Sequence, residues 1–351
     1  MGLFLSIKKV SESAFLSACR GDPVPHTPVW FMRQAGRSLP EYRARRGSDD
    51  ILEAIKNPEL AAELTLQPVR RYGVDAAILF SDILAPAAAV GLGIRVLPGT
   101  GPVMEEPITA TSDVSRLRPF EPEIDAPWTT EAIQILDKEL RVPLIGFTGG
   151  PFTVASYLLE GRPTRDFTRT KYVMYAEGAV WDRLMRWVAE TATSSLRSQV
   201  SAGAHAVQLF DTWIGALSPD DYRRYVLPTT LRVFEGIADL AVPKIYFGVG
   251  AGELLSDMSL TEVDVMGVDW RVPLPAAAAR LTGIKALQGN LEPALCLAPW
   301  QVVAAGAHSV LQSVPKGIGH IFNLGHGVLP TTDPSVLQRL VDLVHLETRT
   351  V

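Results

Sequence analysis

Eight short apolar runs, each closing on a polar or small residue and each followed by a helix-length stretch, constrain this chain more than any other feature. They are Pro28–Phe31, Asp75–Phe80, Pro143–Phe147, Ala206–Phe210, Pro243–Phe247, Val265–Val268, Lys285–Gln288 and Ile321–Asn323. Several are nearly continuous in hydrophobicity, as expected of parallel strands covered on both faces. A strand followed by a helix, repeated, is the pattern of βα units. Helical stretches lie between the runs: Asn57-Pro58-Glu59 opens one from Leu60 to Tyr72, and Tyr172 to Ala202 carries aromatic and aliphatic residues at helical spacing.

Eight such units favour a closed α/β barrel, the (β/α)8 or TIM arrangement, over a doubly wound open sheet. The open sheet more often carries a glycine-rich dinucleotide turn, and neither GxGxxG nor GxxxxGK[ST] occurs. The chain therefore reads as a single barrel domain over residues 1–351, with a short N-terminal extension over about 1–10. The sixth and seventh runs are short and close together. Residues 91–141 are oversized for one connection and contain Leu97-Pro98-Gly99-Thr100-Gly101-Pro102. They are expected to form a loop or hairpin insertion between strands two and three that covers the barrel mouth.

Hydrophobic residues make up 47% and charged residues 20% of the 351, a globular balance with material for a large core. The formal charge of -5 argues against a nucleic-acid binder, which needs a basic face. Cys19 and Cys296 lie far apart and form no CxxC pair, so neither a disulfide framework nor a thiolate metal site is expected, and a reducing cytoplasm fits. Leu3-Phe4-Leu5 is too short for a signal-peptide core, and no run approaches transmembrane length. Met1-Gly2 with Ser6 matches the loose myristoylation pattern, which recurs by chance in unmodified chains.

Barrel enzymes keep their chemistry at the C-terminal strand ends. After run one comes Arg33-Gln34-Ala35-Gly36-Arg37, after run two Ser81-Asp82, after three Thr148-Gly149-Gly150-Pro151, after four Asp211-Thr212, after six Asp269-Trp270, after seven Gly289-Asn290 and after eight Gly325-His326-Gly327. Between Arg33 and Arg46 stand five arginines and one acid, Glu41, in a chain of negative net charge. Guanidinium forks bind carboxylate or phosphate bidentately, so this is a candidate anion site, although a run of arginines is also what a solvated basic face looks like. Asp82 is placed equally well to cap a following turn or to hold a carboxylate against positive charge on a ligand. His326 sits in a tight turn or at a close backbone approach to a ligand. Tyr157 falls on the helix after Pro151, where a buried tyrosine is ordinarily structural.

The segment Phe31-Met32-Arg33-Gln34-Ala35-Gly36-Arg37-Ser38-Leu39-Pro40-Glu41-Tyr42-Arg43 closely resembles the N-terminal signature of the uroporphyrinogen decarboxylase family. Gly146-Phe147-Thr148-Gly149-Gly150-Pro151-Phe152-Thr153 resembles its second signature. Leu79-Phe80-Ser81-Asp82-Ile83-Leu84, Gln208-Leu209-Phe210-Asp211 and Asn323-Leu324-Gly325-His326-Gly327 resemble further segments, in family order, from about residue 26 to 330. The resemblance implies a homodimeric (β/α)8 enzyme that converts the four acetate side chains of uroporphyrinogen III to methyls in tetrapyrrole (haem) biosynthesis, with no metal or organic cofactor. It further implies that Arg33, Arg37 and Arg46 bind substrate carboxylates, with Gln34 counted among the substrate-binding residues. By the same resemblance Asp82 faces the pyrrole N–H groups, and Tyr157, Thr212 and His326 surround the substrate. Asp82, Arg37, Tyr157 and His326 are the expected catalytic set. Thr212 stands where many relatives have serine, Ser38 where tyrosine is frequent and Glu292 where aspartate is frequent.

Elementary chemistry agrees. Loss of CO2 from an acetate leaves carbanion character that needs an electron sink, and a C-protonated pyrrole supplies one where other enzymes use a cofactor. The protein must then bind several carboxylates, steady a transient cation and deliver protons. A guanidinium, with its pKa above about 12, is a poor acid, so Tyr157 and His326 are chemically easier donors than Arg37. Two other readings compete: a zinc- and corrinoid-dependent methyltransferase of the same superfamily, whose paired thiolates this chain lacks, and a non-catalytic tetrapyrrole carrier, which would have lost a catalytic position.

Overall fold

The structure, a computed structural model, describes residues 10, 12–47, 50–97 and 99–350. The Leu3-Phe4-Leu5 opening, the Gly2 and Ser6 pattern and nearly all of the expected extension lie outside the described residues.

Seven parallel strands form one curled sheet: β1 (Ala77–Ile78), β4 (Leu144–Gly149), β5 (Ala206–Asp211), β6 (Lys244–Gly248), β7 (Val265–Gly267), β8 (Ala286–Gln288) and β9 (Gly319–Ile321), in that order. An antiparallel hairpin, β2 (Ile94–Leu97) with β3 (Gly101–Met104), stands apart from it. Every neighbouring pair in the main sheet is parallel and helices fill the connections, so the alternation read from the sequence is the observed architecture.

The first expected run behaves differently. Only Val29 of Pro28–Phe31 pairs, as an isolated parallel bridge to Phe322. Phe322 N–H donates to Pro28 O at 2.8 Å, and on the other side Asp75 N–H donates to Val29 O at 2.8 Å. The ladder stops there because the next two amides are claimed by side chains: Phe31 N–H by Gln34 Oε1 at 3.1 Å and Met32 N–H by Asn323 Oδ1 at 3.1 Å. A run that spends its amides this way bridges two strands without extending as one. The eighth run is shifted, pairing over Gly319–Ile321, with Leu324 forming a separate bridge to Leu291.

Residues 91–141 divide in two. The hairpin occupies the first part; Pro127–Glu139 in the second is a regular helix packed on helix Pro58–Tyr72. The hairpin is anchored by Val96 N–H to Asp50 Oδ2 at 3.0 Å and by Met104 N–H to Gly161 O at 2.8 Å.

Inside the sheet, Trp30 Nε1–H donates to Gln288 Oε1 at 2.9 Å, and Gln288 Nε2 donates to Gln208 Oε1 at 3.2 Å. This polar rung is fully buried, and its pairing offsets part of the cost of desolvating the amides, Gln208 Nε2 being left without a hydrogen-bond partner among the described residues. Toward the C-terminal strand ends, Phe147, Phe210 and Phe247 pack edge-to-face at 5.4 and 6.1 Å between centroids. On the outer face, helix Gly178–Ala202 clamps β4 through Gln199, which accepts from Phe147 N–H at 2.8 Å and donates to Phe147 O at 2.9 Å. A Cβ at Gly146 would stand 2.5 Å from Gln199 Oε1, which explains the glycine. Among the described residues, no helix is long and apolar enough to cross a membrane.

Candidate active site

Side chains that follow the Val29 bridge and strands β1, β4 and β9 come within reach of one another's charge. Arg33 follows the Val29 bridge with a backbone φ of 59°, a left-handed conformation that a side chain adopts only when its surroundings impose it. Asp82 follows β1, Tyr157 rides on helix Pro151–Glu160 after β4, and His326 follows β9. The positive charge of Arg33 lowers the pKa of Asp82, Tyr157 and His326, while the charge of Asp82 raises that of Tyr157. The four groups therefore share one electrostatic environment.

Asp82 is half-buried. Its Oδ1 accepts from Leu84 N–H at 2.8 Å, so the capping role read from the sequence is real, and it occupies one oxygen. No other side-chain hydrogen bond to Asp82 forms among the described residues. Burial pushes its carboxyl above the ordinary range; Leu84 N–H and Arg33 pull it back and Asp50 adds repulsion. Oδ2 is thus a desolvated acceptor with Arg33 nearby, suited to receive N–H donors from a ligand.

His326 accepts from Gly327 N–H through Nδ1 at 2.7 Å, so the neutral ring carries its proton on Nε2. Burial, then the charges of Arg33 and Arg271, push its pKa down to about 4. At neutral pH it is a hydrogen-bond donor and holds no imidazolium proton. Tyr157 keeps its phenolic proton, since its pKa is pushed well above the ordinary value, first by burial and then by Asp82. Both side chains are therefore held in their neutral, proton-bearing forms at physiological pH. Both glycines of Gly325-His326-Gly327 are sterically required. A Cβ at Gly327 would lie 2.5 Å from Arg33 Cδ, and one at Gly325 would collide with Trp270 N. The turn is therefore the seat of the Arg33 stem as well as of the histidine.

The walls are aromatic. Tyr157 stacks on Trp213 at 4.0 Å with planes 30° apart, and half-buried Thr212 adjoins that tryptophan. Trp270 and Phe247 flank His326 at 6.3 and 6.4 Å. Asp211 positions the Tyr157 helix: fully buried, it accepts from Thr153 Oγ1 at 2.6 Å and Thr153 N–H at 2.8 Å at the helix start. Burial raises its carboxyl to about 6 despite those bonds. Gly150 is glycine because any Cβ there would run into the Asp211 side chain.

Three placements bear on the expected site. Gln34 does not face the rim: it is fully buried, its Oε1 accepts from Phe31 N–H and its Nε2 donates to Ala76 O at 3.1 Å. Its side chain shapes the loop that carries Arg33. Arg37 and Arg46 gather around Tyr42 instead of beside Asp82. The Arg46 guanidinium lies 5.8 Å from the Tyr42 ring, and the charges of both arginines lower the Tyr42 pKa against the larger opposing effect of burial. Tyr42 in turn packs edge-on against Phe80, two residues before Asp82, at 5.7 Å. Finally, Arg271 was overlooked in the sequence. It is exposed, lies 3.8 Å over the Trp270 ring, and its charge reaches His326. Its position just after the Asp269-Trp270 strand end was the available signal.

Comparison with known proteins places this geometry. The family model for uroporphyrinogen decarboxylase (URO-D) matches residues 11–346. A protein named uroporphyrinogen decarboxylase from Thermobifida fusca (strain YX) is 56% identical over 340 residues, covering 97% of this chain and 94% of that protein. Its namesake from Streptomyces coelicolor is 55% identical over 338 residues, 96% of this chain and 95% of its own. Among solved structures, a methyltransferase from Methanosarcina mazei superposes with a TM-score of 0.75 at 22% identity, covering 95% of this chain and 97% of that one, a likeness of fold. The match over nearly the whole length, and the identity to full-length relatives, establish that this chain belongs to the uroporphyrinogen decarboxylase family.

Proposed function

We propose that the chain decarboxylates uroporphyrinogen III, converting its four acetate arms to methyls to give coproporphyrinogen III. The observation that carries this reading is Asp82: a desolvated carboxylate with one filled oxygen, opposed by Arg33 and walled by aromatic rings. A porphyrinogen offers the complement, pyrrole N–H donors at its centre and carboxylates at its edge.

Protonation of the ring carbon next to the acetate-bearing carbon makes an iminium-like cation conjugated with the acetate-bearing carbon. The C–CO2 bond then breaks and its electron pair forms an exocyclic double bond that neutralises the ring. A second proton adds to the exocyclic carbon to complete the methyl, and the first proton leaves the ring carbon to restore the pyrrole, so one net proton is taken up per CO2 released. Asp82 stabilises the cation where it forms, a contribution largest in a preorganised, desolvated site. Arg33, with Arg37, Arg46 and exposed Arg271, binds the acidic arms; Thr212, Tyr157 and the Nε2–H of His326 supply neutral hydrogen bonds along the wall. The pyrrole itself is the electron sink, so the chemistry calls for no organic cofactor.

Several features belong with this reading. The Val29 bridges serve as the eighth stave, closing the seven strands into a (β/α)8 barrel, and the 91–104 hairpin is the insertion that borders its mouth. A homodimer in the cytoplasm is the expected working form. The methyltransferase alternative is disfavoured by its missing thiolates: burial raises the pKa of both Cys19 and Cys296, the latter to about 12.

Anaerobic incubation of the purified protein with uroporphyrinogen III, with CO2 and products followed together, tests the proposal. Four equivalents of CO2 per coproporphyrinogen are expected. Bound but unchanged substrate would instead identify a carrier.

A further inference from the structure

At the opposite end of the barrel, three groups far apart in sequence converge. His26 precedes the Val29 bridge, Asp75 precedes β1, and His345 lies in the last turn of the C-terminal helix Pro334–Thr348. His26 Nε2 lies 2.9 Å from Asp75 Oδ1, and His345 Nε2 lies 2.7 Å from Asp75 Oδ2. The imidazole centroids are 4.1 Å apart, and the ligand atoms of all three groups fall within 4.8 Å of one another. Among the described residues this is the one such grouping of His, Cys, Asp and Glu.

From this convergence we propose that His26, Asp75 and His345 form a structural site for a divalent transition cation, Zn2+ foremost, that staples the C-terminal helix to the barrel base. Two imidazoles and one carboxylate are a recognised donor set for such ions, and hard cations such as Mg2+ prefer all-oxygen surroundings. Both rings present the same nitrogen, Nε2, to one carboxylate. The side chains are 25%, 15% and 29% exposed for His26, Asp75 and His345, so water has access to complete a tetrahedral shell. The frame is already laced: Val29 N–H donates to Asp75 Oδ2 at 2.7 Å, orienting the carboxylate, and Thr27 N–H donates to Thr348 Oγ1 at 2.8 Å. Ion entry exchanges two imidazole–carboxylate hydrogen bonds for three coordinate bonds. Any proton on an Nε2 that coordinates the ion is displaced to Nδ1 or to water, and no electrons are transferred.

The site lies away from the decarboxylation rim and stands or falls independently of that activity. The test is equilibrium dialysis of the full-length protein against Zn2+ with metal analysis, together with thermal melts. One Zn2+ per chain is expected, with the melting temperature raised by about 4 °C at a hundredfold excess over Kd and unmoved by Mg2+. His26→Ala and His345→Ala should abolish both effects. His345→Gln provides the folded check, because the amide can still hydrogen-bond Asp75 but is a poor zinc ligand. His308→Ala should retain binding; His308 pairs with Glu347 at 2.5 Å without a third donor. Absence of stoichiometric Zn2+ in the folded wild type, or undiminished binding by folded His345→Gln, overturns the proposal.

Discussion

Asp75 and Asp82 flank β1, two residues before it and four residues after it, yet their surroundings are opposite. Asp75 has its oxygens filled by His26, His345 and Val29 N–H, and these bonds hold its carboxyl below the ordinary range against the effect of burial. Asp82 receives a single backbone donor, and burial leaves its carboxyl raised. The difference teaches how one residue type divides its work. A carboxylate whose acceptors are filled ties elements together, whereas one kept short of partners in a desolvated wall costs stability and is disposed to bind something.

Substitution by Asn at the two positions separates these roles. Asp82→Asn should lower kcat by roughly 10²–10³ with a smaller change in KM, since charge stabilisation of the transition state is removed while shape is kept. Steady-state anaerobic assays measure it, and near-normal turnover would break the contrast. Asp75→Asn should leave turnover per folded molecule intact and lower unfolding free energy by about 1–3 kcal/mol, read by urea titration. A large loss of kcat there would show that the base and the rim are coupled.

A smaller effect sharpens the account of the rim. Gly327→Ala places a Cβ against the Arg33 stem, a flexible side chain able to shift, so the expected cost is a roughly tenfold drop in kcat/KM with little change in melting temperature. Gly325→Ala meets the Trp270 backbone, which cannot yield as easily, and should instead destabilise the fold by about 1–3 kcal/mol, as overpacking does.

The gentlest test is titration of His326 by NMR. Its ring should remain neutral on acidification until about pH 4, with no midpoint near 6.5. The sign for stability follows: the unfolded chain takes up this proton near pH 6.5 and the folded chain resists it until about 4, so acidification across that window favours unfolding. An ordinary midpoint near 6.5 would remove His326 from the neutral wall of the site.

The alternation of apolar runs with helix-length stretches was legible because parallel strands covered on both faces must be hydrophobic almost throughout; six of the eight runs contain or overlap most of a paired strand and the eighth meets its strand at Ile321. Pro28–Phe31 defeated that reasoning, since the side chains of Gln34 and Asn323, which end its ladder, are a contact no local pattern predicts. The candidate site divides in the same way. Its residue types and their places after strand ends were readable from the chain, and so was the family they resemble. Which ones face each other was not.

Sequence alone determined the chemistry on offer: arginines and an aspartate after strand ends, a histidine between two glycines, and two cysteines that form no CxxC motif. Tertiary structure decided the protonation of His326 and Tyr157, turned Gln34 inward, brought Arg271 to the rim and gathered His26, Asp75 and His345 at the base. The physical reason is that periodicity and spacing act over neighbouring residues, while desolvation and charge act through space between residues that only folding brings together.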